Sequence, residues 1–250
     1  MRNGAKKLSK TLKDNVSKFN QDVQKKEAYS YTGLNKFSAT VANKRLTRAT
    51  VEALDFPFEK VLDVGCGDGT YTKALSDIFP KAHFFAFDPA EMAIERAKKA
   101  YPSEKLHFFA GNAEDPELLS GEKYDVVIIR GFLHHSLHPE KIIQNTSRFA
   151  RNLIVIEPNG YNMVLKAIEK LSKYHREHEE RSFPPYRVAS WFRNHNYQIT
   201  KREYVGFVPF FCPDLFAKCL YALQPILEKI PLLNKLGSAC VVLRGKNKLS

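Results

Sequence analysis

Residues 61–72 read Val-Leu-Asp-Val-Gly-Cys-Gly-Asp-Gly-Thr-Tyr-Thr. An apolar strand enters a loop with Asp63 just ahead of Gly65, Gly67 and Gly69, and a helical stretch follows. Glycines at alternate positions let the backbone turn sharply at a strand end and let a charged cofactor approach the amides without Cβ interference. The spacing also excludes. A dinucleotide loop of the G-x-G-x-x-G kind needs its third glycine at position 70 or 72, and both are threonine. A phosphate loop would end in Gly-Lys-Ser/Thr, which is absent.

The sequence around this loop alternates strand and helix. Strands are expected over 60–64, 83–87, 106–109, 124–129 and 152–157, with helices over 38–54, 71–79, 90–100 and 139–149. Short apolar strands separated by helices read as a parallel sheet covered on both faces. Later segments predict helices over 163–178, 186–195 and 215–230, the last kinked or broken by Pro225, and strands over 197–207 and 239–244.

Three further motifs follow in order. Asp88 ends the second strand in Phe84-Phe85-Ala86-Phe87-Asp88-Pro89, one β-α-β unit beyond the glycines. A carboxylate there suits two vicinal ribose hydroxyls, and it also suits a helix N-terminus. Gly111-Asn112-Ala113-Glu114-Asp115 follows the third strand and is rich in turn formers. Tyr124-Asp125 opens the fourth strand, which runs through Arg130-Gly131-Phe132 into Leu133-His134-His135.

Together these motifs resemble the class I S-adenosylmethionine (SAM) dependent methyltransferases, in the ubiquinone/menaquinone-methylase-like branch, over about residues 38–160. The resemblance implies a doubly wound α/β fold with a seven-stranded, mostly parallel sheet and an antiparallel last strand, for which 239–244 is the candidate. It implies SAM as cofactor and S-adenosylhomocysteine as product. Asp63, Gly65, Cys66, Gly67 and Gly69 would border the methionine portion, with Asp63 on its ammonium through water. Asp88 would hold the ribose and Pro89 the adenine edge. Asn112 would accept from the adenine amine, where the family usually has Asp, and the Ala113 amide would meet a ring nitrogen. The Arg130 carbonyl would accept from the amino group. His134 and His135 would face the methyl donor, as a general base or as the wall of the cofactor pocket.

The chain has 250 residues, 44% hydrophobic and 12% aromatic, enough for one substantial α/β domain. Residues 1–35 read as a basic, helical extension and 36–250 as the methyltransferase domain, with 160–235 as its acceptor-side elaboration. Cys66, Cys212, Cys219 and Cys240 have no metal-ligand spacing, and the first thirty residues show no secretory h-region, so a reduced cytoplasmic protein is expected.

A net charge of +12 and pI near 9.4 point to an anionic partner or to a solubility-tuned surface. In the basic head, Leu8, Leu12, Val16, Phe19 and Val23 form a helical stripe suited to an anionic membrane or to the protein's own domain. The run Tyr174–Arg181 reads as solvated ion pairs; within it His175, Arg176 and His178 are the expected acceptor-side residues. Residues 207–236 are strongly apolar and read either as core or a dimer face, or as a site for a lipid-like acceptor or a membrane surface. The expected substrate is a small, hydrophobic or lipid-linked molecule methylated on O or N. An RNA methyltransferase is the first alternative; it lacks support from an Asn/Asp-Pro-Pro-Tyr motif, so nucleic acid is not the favoured partner. A non-catalytic SAM-binding module is the second.

Overall fold

Side chains of a strand alternate between two faces, and the central strands here bury both. The computed structural model describes residues 36–115, 117–118, 122–171, 181–210 and 212–249. In β1 (Lys60–Val64), Val61 packs into one apolar layer while Leu62 and Val64 pack into the other. In β4 (Tyr124–Arg130), Val126 and Ile128 join the first layer, and Val127 and Ile129 the second. Continuing the alternation by one step puts Asp63 and Arg130 on the first layer's face. That layer is closed by α1 (Phe37–Ala53), α2 (Thr70–Ile78) and α3 (Glu91–Ala100), through Leu46, Leu75 and Ile94. The opposite face is covered by α4 (Pro139–Ser147) and α6 (Pro185–Asn194), through Ile142, Val188 and Phe192.

The sheet is completed by β2 (His83–Asp88), β3 (Leu106–Ala110), β5 (Ala150–Pro158), β6 (Tyr197–Val205) and β7 (Cys240–Asn247), in the order β3-β2-β1-β4-β5-β7-β6. β1 runs parallel to β2 and β4, and β7 runs antiparallel to both β5 and β6. The doubly wound sheet and its antiparallel last strand match the expectation from sequence. Strand order reverses between β1 and β4, the position where open α/β sheets bind ligands beyond their strand ends. Val64 pairs with both Phe87 and Ile129, so the three strands end level and their following loops share one edge.

Two segments depart from the sequence reading. The helix expected over 215–230 is α7 (Asp214–Leu227), and a short further helix that the sequence reading did not include, α8 (Pro231–Gly237), follows it. Pro225 lies inside α7 without ending it, on the exposed side where water can satisfy the carbonyl its ring leaves unbonded. The core reading of 207–236 also fails for much of its length. Leu215, Phe216, Tyr221, Leu223, Ile226, Ile230, Leu232 and Leu233 are all exposed. The cause is that α7 is anchored by polar contacts. Arg45 Nε and Nη2 donate to the Glu228 carboxylate at 3.0–3.1 Å, Glu228 also accepts the Gly206 N–H, and Gln224 accepts the Phe207 N–H. The helix expected over 163–178 is described as α5 (Met163–Leu171). The basic head and the run 174–180 lie outside the described residues.

Because β7 sits in mid-sheet, it crowds α6. A Cβ at Gly245 would fall 2.5 Å from the buried Phe192 ring and 3.0 Å from Tyr197 Cβ. Gly245→Ala should therefore lower stability by about 2 kcal/mol through overpacking, read as a drop in the denaturant midpoint with an unchanged m-value.

Candidate functional site

The loop after β1 is built by its own hydrogen bonds. The Gly65 and Cys66 amides both donate to the Phe87 carbonyl, at 2.8 and 3.1 Å. Gly67 N–H donates to Asp88 Oδ2 at 3.0 Å, and Gly69 N–H to the Cys66 carbonyl at 3.1 Å. These four amides thus hold the loop's shape, which corrects the expectation that they are presented to a charged cofactor. A phosphate site needs such amides pointing at the ligand, so their engagement here agrees with the exclusion of nucleotide loops from spacing alone. Gly65, Gly67 and Gly69 have φ of 78°, 56° and 76°, left-handed values that explain the residue type. The empty Cβ positions do different things. At Gly65 a Cβ would strike the Phe132 ring at 2.2 Å, so the missing atom lets the loops after β1 and β4 meet. At Gly69 it would strike Phe108 and Ala97, so this glycine permits helix–strand packing beneath the loop.

Three buried carboxylates surround the loop. Asp63 accepts the Thr72 hydroxyl at 2.6 Å, and Asp68 accepts the hydroxyl and N–H of Thr70 at the start of α2. Asp88 accepts Ala90 N–H at 2.8 Å on Oδ1 and Gly67 N–H on Oδ2. It precedes the N-cap position of α3, which is Ala90, and acts as a turn between β2 and that helix. Each Asp88 oxygen spends one lone pair on the backbone and keeps capacity for a second donor. Burial pushes Asp63 up to about 6, opposed by the Thr72 hydroxyl and the Arg130 charge. Burial likewise pushes Asp88 up to about 6, opposed by the two N–H groups and reinforced by the charges of Asp63 and Asp68. Burial and these neighbouring carboxylates keep the Cys66 thiol far above its ordinary range, so it stays neutral.

Arg130 was expected to act through its carbonyl; its side chain proves to be a feature in its own right. The guanidinium donates to Thr47 Oγ1 at 3.0 Å and Asn43 Oδ1 at 3.1 Å, and stacks 4.0 Å from the Tyr71 ring centroid. Burial lowers its pKa, while Tyr71, Cys240 and Asp63 support the charge. Asp63, Gly65, Cys66, Tyr71, Leu75, Ile128 and Arg130 line a small cleft. Its walls thus carry one acidic and one basic group, the charge pattern that suits a zwitterion.

The remaining loops close on the same edge. Gly111 N–H donates to the Asp88 carbonyl, and Asn112 Oδ1 accepts Glu114 N–H at 3.0 Å, forming the turn that the sequence allowed. Ala113 is buried with its carbonyl held by Asn145, and Pro89 is half-buried beside Asp88. Glu114 accepts the Ser136 hydroxyl at 2.8 Å, tying this loop to the one after β4.

That latter loop is organised by Glu157, a residue not identified from the sequence. Its fully buried carboxylate accepts the N–H groups of Phe132 and Leu133 at 2.9 and 2.8 Å. It also meets His134 at the backbone, 3.3 Å, and at ring Nδ1, 2.8 Å. The His134 and His135 rings lie 3.9 Å apart between centroids. The available signal was an acid ending the apolar run Leu153–Glu157, where a buried carboxylate demands partners. His175, Arg176 and His178 lie outside the described residues. Among the described residues no cluster of His, Cys, Asp and Glu could hold a metal ion.

Residues 57–204 match the family model described as a methyltransferase domain. The chain is 28% identical over 128 residues to the malonyl-[acyl-carrier protein] O-methyltransferase of Anoxybacillus flavithermus, across 51% of this chain and 48% of that protein. It therefore spans about half the length of this curated relative. Magnesium protoporphyrin IX methyltransferase from Synechocystis PCC 6803, solved with bound S-adenosylhomocysteine, matches with TM-score 0.57 and 15% identity, covering 98% of this chain and 90% of that one. The [4+2]-cyclase SpnF matches with TM-score 0.64 and 16% identity, covering 94% and 93%. At such identities the likeness establishes the fold alone, and SpnF shows that the fold does not dictate the reaction.

Proposed function

The chain belongs to the methyltransferase-domain family, and from that premise we propose that it transfers the methyl group of SAM to an oxygen of a small, hydrophobic or lipid-linked molecule. The observation that carries this reading is the Asp88 carboxylate, buried beside the left-handed glycine loop at the edge where the strand order reverses. The amino-acid end of SAM is a zwitterion, which the cleft between Asp63 and Arg130 complements. Oxygen is favoured as the acceptor atom because the curated relative named above is an O-methyltransferase. When bound, SAM supplies a methyl carbon already activated by its positive sulfur, so alignment accounts for much of the rate.

The chain's own residues then have defined tasks. Asp88 accepts the two ribose hydroxyls on the oxygens' remaining lone pairs. Asp63 faces the ammonium, and Arg130 balances the carboxylate of the same zwitterion. Asn112 and Ala113 border the adenine with Pro89. His134 takes the acceptor's proton. With Glu157 against Nδ1, the hydrogen sits on Nδ1 and Nε2 is the basic nitrogen. Glu157 acts through His134 and is a positioning residue.

The raised carboxyl pKa values give a pH signature. Asp63 and Asp88 hold protons more tightly folded than at their ordinary value of 3.8, so the ligand-free protein loses stability as pH rises from about 4 through about 6. SAM binding needs the ionised forms and gains over the same interval. Each carboxyl contributes about a tenfold rise in affinity from about pH 5 to pH 7, on the order of a hundredfold together, and Asp88→Asn should leave only the roughly tenfold rise due to Asp63; a flat wild-type profile would refute the assignment.

The acceptor class is tested with methyl-labelled SAM, the full chain, and separate lipid, aqueous-metabolite and RNA extracts. Label is expected in the organic phase as a base-labile ester or stable ether. Label confined to RNA overturns the substrate class, and absence of transfer from every pool overturns the catalytic reading.

A further inference from the structure

Helices α7 and α8 carry their apolar side outward. At 3.6 residues per turn Ala217 and Gln224 share one face of α7, and these are its buried residues. Leu215, Phe216, Leu223 and Ile226 occupy the opposite side, with Phe216 65% and Ile226 61% exposed. Helix α8 has no buried residue and exposes Leu232 and Leu236. A helix resting on a protein normally turns its polar side to water; here the polar anchors Gln224 and Glu228 face the domain instead. Apolar surface of this kind marks an interaction face.

Charge selects the occupant. Between residues 214 and 237 the bases are Lys218, Lys229 and Lys235, and the acids are Asp214 and Glu228. Glu228 is already neutralised by Arg45, so the face is net positive. A second copy would bring the same lysines against it. Residues 1–35 of this chain are also more basic than acidic. The surface that offers apolar depth and negative charge together is a phospholipid leaflet with acidic headgroups. We propose that α7 and α8 dock this protein on an anionic membrane surface. None of the described helices is long and apolar enough to cross a membrane, so the pair lies in the interface. The Lys218 and Lys235 ammonium groups lie over the Phe37 and Tyr161 rings at the border of this face, and on docking their long stems let them turn, with Lys229, to the headgroups. The Asn159 and Asn162 side chains donate to carbonyls of Lys235, Gly237 and Ser238 at the end of α8. These asparagines sit in the loop directly after β5, the strand that carries Glu157, so docking would bring the acceptor side of the site to the lipid.

The inference is independent of which atom is methylated. Its test uses the full chain with vesicles of equimolar phosphatidylcholine and phosphatidylglycerol, against phosphatidylcholine alone. Cosedimentation should be at least about tenfold stronger with the anionic vesicles and fall with added salt. Phe216→Trp places a reporter on the face, since the native Trp191 is buried; its emission should shift to the blue on anionic vesicles. The double variant Leu215→Glu, Ile226→Glu should weaken cosedimentation about tenfold or more while keeping the wild-type melting temperature and SAM affinity. Absence of binding overturns the proposal. So does binding without a blue shift, which would assign it to another part of the chain. A dimer that the double variant converts to monomer would give the face to a second copy. A blue shift produced by an acidic carrier protein but not by vesicles would give it to a protein partner.

Discussion

Asp88→Ala should weaken SAM binding about a hundredfold. The carboxylate is assigned two charge-assisted hydrogen bonds to ribose hydroxyls, and losing both costs about 3 kcal/mol of binding. The same substitution removes the acceptor for Gly67 N–H and Ala90 N–H, so the glycine loop and the start of α3 lose their shared pin. Stability should fall by about 1–3 kcal/mol as those buried donors lose their partner. Asp88→Asn separates the two effects. Its amide oxygen still satisfies one backbone N–H in nearly the same shape, so it should keep more of the stability than Ala while losing much of the affinity. The check is a pair of measurements on each variant, a SAM titration and a thermal melt. An Asp88→Ala protein with wild-type affinity would place the ribose elsewhere.

Glu157→Ala should be the more damaging change to the fold. The carboxylate serves the N–H groups of Phe132, Leu133 and His134 and the His134 ring. Removing it leaves several buried donors without an acceptor, a loss of about 3–5 kcal/mol, or roughly 10 °C in melting temperature for a chain of this size. The loop after β4 would also lose the geometry that packs Phe132 on Gly65. Glu157→Gln tests function apart from folding. Its oxygen can still accept backbone N–H groups, while its NH2 set against Nδ1 would force the hydrogen onto Nε2. Methyl transfer should slow about a hundredfold with SAM affinity nearly unchanged, and the pH–rate profile should change shape. A Gln variant with wild-type turnover would remove His134 from the role of base.

The order of strands and helices was legible because each central strand is a run of apolar residues bounded by glycine, proline or acid, and each early helix has a clear apolar period. Asp63, the three glycines and Asp88 were legible from spacing, since loops that follow level parallel strands meet at one edge. The internal use of the Gly65, Cys66, Gly67 and Gly69 amides was not legible. Backbone hydrogen-bond direction depends on where Phe87 and Asp88 end, which no local pattern specifies. Arg130 was read only through its carbonyl, although two-residue alternation already set its side chain on the face shared with Asp63. Glu157 escaped because a single acid at a strand end looks like the start of a loop; its burial follows from three-dimensional crowding around Leu133 and His134. The outward apolar side of α7 misled most. Composition suggested core, whereas Arg45, Gly206 and Phe207 recruit the polar residues Gln224 and Glu228 inward and leave the leucines and phenylalanine facing solvent.

The central claim is that the edge formed by Asp63, the glycine loop, Asp88 and Arg130 is a SAM site. It is tested most directly by titrating SAM into the full chain at neutral pH in a calorimeter, beside the Asp88→Ala variant. The account predicts saturable one-to-one binding by the wild-type protein and about a hundredfold loss in the variant. No heat and no saturable binding from the folded wild-type chain would contradict it.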